Sequence, residues 1–449
     1  MKQVVIIGGG LAGSEAAWQI AERDVNVRLY EMRPTVETGA HVTADLGELV
    51  CSNSLGSNLP DRASGVLKTE LRQLGSLLME CADQTAVPAG GALAVDRQAF
   101  SQLITKRIKE HPKIEVIHQE ITEIPIGPTI IASGPLTSMN LANSITAVSG
   151  EEHLYFFDAI SPIVGFESIN MDVAFFGSRY GKGEFEEGDY INCPLNRDQY
   201  EEFVNNVKDA ERIELHSFES AIESGVKAGA HKFFEGCLPV EIIAQRGRDT
   251  LAYGPMRPVG LIDPKTNRRA YAVVQLRRDN IAGTLYNMVG FQTNLKFPEQ
   301  KRVFQSVPGL ANAEFARYGQ MHRNTFISAP KLLKPTMQFR RREDLFFAGQ
   351  ITGVEGYVGN FATGLLAGWN LVRLLNGKEL ITLPRTTILG SLCHYVTHAS
   401  LADFQPMKAN FGLLPPLELE SGKKMRKRVR AKAYAERAII DLETYLSGI

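Results

Sequence analysis

The sequence predicts an α/β protein, a parallel-sheet domain interrupted by an inserted α+β domain. Three observations point there. Residues 1–33 read as strand, glycine turn, helix and strand. From about 154 to 324 the texture changes to short strand-like pieces separated by turns. Leu345-Phe346-Phe347-Ala348-Gly349-Gln350 then returns to the strand-to-glycine pattern. The expected division is 1–150 for the first part of a nucleotide-binding domain, 151–330 for the insertion, and 331–449 for the part that completes the first domain.

The opening stretch is the most specific. An apolar run at residues 3–7 enters Gly8-Gly9-Gly10-Leu11-Ala12-Gly13, and residues 14–20 follow with helical spacing. Gly8 allows the tight turn, Gly10 lets the backbone approach a pyrophosphate, and Gly13 lets helix and strand pack closely. The helix N-terminus, with Leu11 and Ala12 in it, offers unpaired N–H groups to the anion. A second apolar stretch, 25–30, ends at Glu31, which is 18 positions beyond Gly13 and can accept hydrogen bonds from a ribose. Strand, helix and acidic residue in this order form the dinucleotide fingerprint. Arg33 precedes Pro34, which stops the strand, and can reach a phosphate or adenine.

Composition bounds the rest. The chain has 449 residues, enough for two or three domains, with net charge −1, 44% hydrophobic and 22% charged residues. That is an ordinary globular composition, so any nucleic-acid site must be a local patch. Cys51, Cys81, Cys193, Cys237 and Cys393 are scattered without CxxC spacing. This argues against a disulfide framework or a zinc site and for a reducing compartment. No HExxH supports a metal. The N-terminus lacks a basic segment followed by an unbroken apolar run, and no window reaches the roughly 18–20 apolar residues of a membrane span. The reading is a cytoplasmic enzyme without a membrane partner.

Taken in order, residues 39–57 form a long loop rich in Ser, Asn and Gly, of the kind that carries function. Ser64 or Asp61 caps a helix at about 65–81. Asp96 is the N-cap of a helix to about 110, and 114–124 alternates as a strand. Thr129-Ile130-Ile131-Ala132-Ser133-Gly134-Pro135 is a strand ending in a small-residue turn that returns beside the first glycine loop. In the insertion, strands are expected near 154–157, 164–168, 272–276 and 284–291, with helices near 197–208 and 299–307. Gly353-Val354-Glu355-Gly356-Tyr357 precedes a helix at 363–375. Gly177-Ser178-Arg179-Tyr180-Gly181-Lys182 has the wrong spacing for a P-loop. Lys423, Lys424, Arg426, Lys427, Arg428, Arg430 and Lys432 put seven cations in ten positions, ahead of a helix at 433–442. Such a run is either a solvated helix face or a patch that holds an RNA backbone without reading bases.

Several stretches together carry a resemblance. They are Gly8 to Glu31, Val50-Cys51-Ser52-Asn53-Ser54-Leu55, Pro88-Ala89-Gly90-Gly91-Ala92-Leu93-Ala94-Val95-Asp96-Arg97, Phe234-Glu235-Gly236-Cys237-Leu238-Pro239-Val240-Glu241, Gly254-Pro255-Met256-Arg257-Pro258-Val259-Gly260-Leu261, Val289-Gly290-Phe291-Gln292-Thr293-Asn294-Leu295-Lys296, Met321-His322-Arg323-Asn324 and Gly353 to Tyr357. Over nearly its whole length the chain closely resembles the folate- and FAD-dependent tRNA uridine methyltransferase family, TrmFO, and more distantly the GidA-type flavoproteins that modify wobble uridines. The resemblance implies an FAD-binding Rossmann-like domain of the glutathione-reductase type. It also implies transfer of a one-carbon unit from 5,10-methylenetetrahydrofolate to C5 of the T-loop uridine, position 54, of tRNA. Gly349, Glu355, Gly356 and Tyr357 join the glycine turn as expected cofactor contacts. Where the family usually has Glu-Ser-Ala, this chain has Gly359-Asn360-Phe361, a departure that removes a carboxylate beside the expected flavin pyrophosphate and also fits a relative with another RNA target.

The chemistry can be argued without the resemblance. Uracil C5 is a poor nucleophile until a thiolate adds at C6. Methylenetetrahydrofolate carries carbon at the formaldehyde level, so a methyl group needs two more electrons, which a flavin reduced by NADH or NADPH can deliver. By the resemblance, Cys237 is the nucleophile, with Arg257 a candidate partner for its thiolate, since a thiol of ordinary pKa, roughly 8.5, is mostly protonated at neutral pH. Cys51 either removes the C5 proton or assists the first thiol, or else packs as a loop cysteine. Cys81 and Cys393 lie in apolar helical patterns and read as core; Cys193 is open. His322, by the resemblance, stacks on the pteridine of the folate opposite the flavin. Lys423, Arg426 and Arg428 belong to the RNA-holding run. Three functions remain: the RNA uracil methyltransferase, on tRNA or on ribosomal RNA; a GidA-like or metabolic FAD oxidoreductase; and a non-catalytic RNA-binding flavoprotein. Oligomeric state is not legible.

Overall fold

The structure, a computed structural model, describes residues 3–151, 154–181, 183–213, 238–401, 404–418 and 425–448; the side chains of 154–159 and 321–323 are not part of that description. Five parallel strands form one sheet, in the order Leu345–Phe347, Thr129–Ile131, Gln3–Ile7, Asn26–Glu31, Ile114–His118. Val4 and Ile6 of the central strand are fully buried, as expected of a parallel sheet covered on both faces. The helix Leu11–Ala21 packs against the helix Tyr357–Leu375. Their backbones come so close that a Cβ on Gly364 would stand 2.2 Å from the Ala12 carbonyl oxygen. Only glycine fits there.

A six-stranded antiparallel sheet has the order Phe175–Phe176, Tyr190–Leu195, Ala272–Arg278, Leu285–Met288, Ile163–Gly165, Phe315–Arg317. Tyr200, Phe203, Phe291 and Phe304 fill its core. This core draws its residues from Val164 to Ala313, whereas the first takes them up to Ile145 and again from Ile327 onward. A two-stranded ribbon, Leu154–Ala159 with Met321–Phe326, stands where the chain leaves and re-enters the first core.

Local elements differ from the sequence reading in ways that have physical causes. The helix expected at 65–81 is two, Ala63–Gln73 and Leu77–Gln84. Gly75 takes a left-handed turn, φ +71°, and Ser76 Oγ then accepts from Met79 N, starting a new helix. The N-cap of the first helix is Arg62, not Ser64 or Asp61. The strand expected at 114–124 stops at His118. The helix expected from 363 begins at Tyr357, because Gly356 adopts φ +87° and turns the chain into it. The last helix, Lys427–Leu446, starts inside the cationic run rather than after it.

Candidate functional site

The glycine turn opens on a cavity lined by Gly8, Gly10, Leu11, Ala12, Glu31 and Arg33, with Gly349 and Tyr357 from the C-terminal part. Gly8 has φ +106°, and a Cβ on Gly13 would stand 1.8 Å from the Gly8 carbonyl oxygen, so both glycines are demanded by packing. Gly10 is different: a Cβ there would meet nothing within 4 Å, leaving its backbone open to a ligand. Two helices, Leu11–Ala21 and Tyr357–Leu375, begin at this cavity without an acidic residue in the first turn. Their unpaired N–H groups and dipoles favour an anion.

Glu31 Oε2 accepts from Gly9 N at 3.0 Å, while Oε1 accepts from Arg33 N at 3.0 Å and Nε at 2.8 Å. Burial works against its charge, but Arg33 outweighs it and holds the carboxyl below the usual range. Arg33 is spent inside the protein: it also bonds Glu48 at 3.0 Å and the carbonyls of Thr43 and Asp45. It therefore orients Glu31, and although it lines the cavity, four of its five guanidinium N–H groups are engaged by the protein itself. Asn360 Oδ1, at the same cavity, is buried without a hydrogen-bond partner among the described residues, an orphan that a ligand donor would satisfy. A Cβ at Gly359 would stand 2.7 Å from Val354 Cγ1, so this chain's glycine there matches its own packing. An open glycine backbone, two helix N-termini, a charged carboxylate at the second strand's tip and an orphaned amide oxygen fit a dinucleotide.

A second cavity, of about 400 Å³, continues from the first and shares Val50, Pro135, Leu136, Gln350, Tyr357 and Asn360 with it. That volume lies in the range of small-molecule sites, ~300–1,000 Å³. Cys51, Glu355 and Gly356 line it. The Tyr357 hydroxyl oxygen accepts from Cys51 N at 2.8 Å and Ser52 N at 3.1 Å. Burial first, then the neighbouring Cys51, push the Tyr357 phenol up, so it stays neutral. On the other side Arg97 donates to the Leu49 carbonyl at 2.6 Å and pairs with Asp279 at 3.1 Å. Arg277 donates to Asn53 Oδ1 at 2.9 Å and Ser52 Oγ at 2.7 Å. The Cys51 turn is thus held between the first core and the antiparallel sheet. Arg97, Arg277 and Arg317 all act electrostatically on Cys51, the cationic, partly exposed setting in which thiolates react. Burial pushes Cys81, Cys193 and Cys393 each up to about 12; these are inert core thiols.

The remaining expected residues are dispersed. Cys237 and Lys423 lie outside the described residues. The described chain resumes at Leu238, where Val240 N donates at 2.7 Å to the carbonyl of Gln292, a residue of the second cavity. His322 stands in the ribbon strand opposite Asp158. Glu355 accepts from Gln350 Nε2 at 2.9 Å. Arg257 is exposed and lines neither cavity; Cys237, the thiol it was expected to partner, lies outside the described residues. Arg426 and Arg428 are exposed at the start of the last helix. Sequence reasoning missed Arg277 and Arg317, which are ordinary strand residues until the fold brings them to Cys51. Among the described residues no cluster could hold a metal ion and no helix is long and apolar enough to cross a membrane.

Residues 3–379 match the family described as glucose inhibited division protein A. The chain is 54% identical, over 98% of both chains, to the methylenetetrahydrofolate–tRNA-(uracil-5-)-methyltransferase TrmFO of Halalkalibacterium halodurans. It is 53% identical, over all of both chains, to the TrmFO of Anoxybacillus flavithermus. Among solved structures it resembles Aquifex aeolicus GidA, with a TM-score of 0.68 at 17% identity over 98% of this chain and 75% of that one. That likeness concerns the fold.

Proposed function

This chain belongs to the TrmFO family, within the wider glucose inhibited division protein A family, and from that premise we propose that it methylates C5 of the T-loop uridine, position 54, of tRNA. The carbon donor is 5,10-methylenetetrahydrofolate. FAD, when bound and reduced by NADH or NADPH, supplies the two electrons that bring the carbon to the methyl level.

The observation that supports this best is the continuity of the two cavities: the glycine turn at one end and Cys51 at the other line one cleft. In this reading the backbone at Gly10 and the N-termini of the helices Leu11–Ala21 and Tyr357–Leu375 bind the pyrophosphate. Glu31 takes the ribose and Asn360 a donor of the cofactor. Residues 1–150 and 331–449 hold the dinucleotide, and 151–330 closes the cleft over it. Cys237 adds to uracil C6, Cys51 assists from its cationic turn, and His322 stacks on the folate. The exposed cations from Arg426 to Lys432, with Lys423 and Lys424 ahead of them in the sequence, grip the tRNA backbone. Cationic side chains in the first turns oppose the helix dipole, which argues for a polyanionic partner over helix stability. The reaction is assigned to the cytoplasm.

The test is transfer of label from methylenetetrahydrofolate into tRNA by the FAD-loaded enzyme. Incorporation at the T-loop uridine, lost on Cys237→Ala, is expected. tRNA binding without incorporation would leave an RNA-binding flavoprotein, and label in ribosomal RNA alone would move the target.

A further inference from the structure

Lys68 is fully buried in the helix Ala63–Gln73, yet among the described residues no carboxylate is bonded to it. Its Nζ lies 2.9 Å from the Ser57 carbonyl oxygen, 3.3 Å from the Ser64 carbonyl oxygen and 2.8 Å from Ser64 Oγ. Ser64, one turn earlier on the helix, lines the second cavity together with Cys51. Lysine is rarely fully buried unless paired, and burial favours its neutral, proton-accepting form. The three oxygens suit both states. An ammonium donates to all three, whereas a neutral amine donates to the two carbonyls and accepts from the hydroxyl.

We propose that Ser64 and Lys68 form a proton-transfer pair serving the second cavity, with Ser64 Oγ touching the uracil and Lys68 acting through it; this rests on the methyl-transfer reading above. Once sulfur is bonded to C6 and the one-carbon unit to C5, restoring the ring requires the C5–H bond to break. The C5–H electron pair becomes the C5=C6 double bond, the C6–S bond breaks and the sulfur leaves as thiolate. The C5 proton goes to Ser64 Oγ while the hydroxyl's own proton passes to Lys68 Nζ. Burial first, then Arg72, push the Lys68 amine down to about 7, with Asp83 opposing, so a receptive amine is available near neutral pH. Arg72, on the same helix, and Asp83, on the helix Leu77–Gln84, are the charged groups facing it, and they pair with each other at 2.7 Å.

The experiment follows tritium released from C5-tritiated tRNA by FAD-loaded enzyme with methylenetetrahydrofolate, from about pH 6 to about pH 9. Wild-type release is expected to rise as pH passes about 7 and then level. Ser64→Ala and Lys68→Met are expected to slow it roughly 100-fold. Lys68→Met also loses the rise, and Ser64→Thr, which keeps a hydroxyl, restores release. As a second readout, a lysine depressed from 10.5 to about 7 adds stability that is present above pH 10.5 and lost as pH falls through about 7; Lys68→Met should flatten that slope. Should Lys68→Met fail to fold, Ser64→Ala, which leaves Lys68 both carbonyls, decides. Release at the wild-type rate in Ser64→Ala, or an unchanged pH rise in Lys68→Met, overturns the pair. A wild-type enzyme that neither releases tritium nor moves label overturns the methyl-transfer reading itself.

Discussion

Tyr357→Phe removes one oxygen and keeps the ring. That oxygen accepts from two amides, Cys51 N at 2.8 Å and Ser52 N at 3.1 Å, so the variant leaves two donors of one turn unpaired at once. A neutral hydrogen bond contributes about 1 kcal/mol net, and a donor that stays dry costs about 1–3 kcal/mol. Two bonds put the loss at about 2 kcal/mol, the low end for this pair. At about 1.4 kcal/mol per tenfold, the ordered Cys51 turn would fall roughly 30-fold relative to its disordered alternatives. If catalysis needs that turn in place, single-turnover transfer of labelled carbon into tRNA drops by the same factor. Flavin content is measured alongside, because Tyr357 also lines the first cavity and opens the helix Tyr357–Leu375. Transfer within about threefold of wild type, under conditions where the flavin is retained, would refute the claim that Tyr357 holds Cys51 in its working position.

Gly13→Ala should yield colourless protein on purification, since the added Cβ would stand 1.8 Å from the Gly8 carbonyl oxygen and must open the turn; visible absorbance checks it. Glu70 accepts from Ile388 N and Leu389 N, and burial pushes it from 4.5 up to about 7. Its contribution is therefore fully present below pH 4.5 and lost as pH rises through about 7, a decline of up to about 3 kcal/mol. Denaturation of Glu70→Gln across this window should show the slope flattened. Replacing Arg426 and Arg428 together by Ala should weaken tRNA binding and make its salt dependence shallower, by ~0.7–0.9 in the log–log slope for each phosphate no longer neutralised, with melting unchanged; filter binding at several salt concentrations measures it.

What could be read from the sequence was local or periodic. The strand at 129–131 beside the glycine turn, the α/β class with an antiparallel insertion, and Asp96 as an N-cap, whose side chain accepts from Ala99 N at 2.9 Å, all follow from patterns a few residues long. The break at Gly75 was hidden because the apolar spacing continues through it. The early start of the helix at Tyr357 was hidden because its first turn contains Gly359 and Asn360, poor helix formers that are held by tertiary packing. The least legible part was the setting of Cys51. Asn53 and Arg277 are bonded across 224 positions of sequence, and Cys51 N and Tyr357 across 306. No short motif encodes a bond between two cores. Arg33 shows the converse: its position suggested a ligand contact, but Glu31 and Glu48 claim its charge.

The two halves of the parallel sheet are made far apart in time. On the ribosome the strand Thr129–Ile131 emerges long before Leu345–Phe347, which covers its outer edge, and the helix Leu11–Ala21 waits for Tyr357–Leu375. The intervening segment has a core of its own and can close meanwhile, but an uncovered strand edge is a template for wrong pairing. A nascent chain must carry that open half-sheet through the synthesis of the whole insertion. Cofactor capture is consequently a late event in the life of each molecule. A chain cut short before the strand at 345 would never complete the pocket, and quality control would meet it as an unfinished sheet.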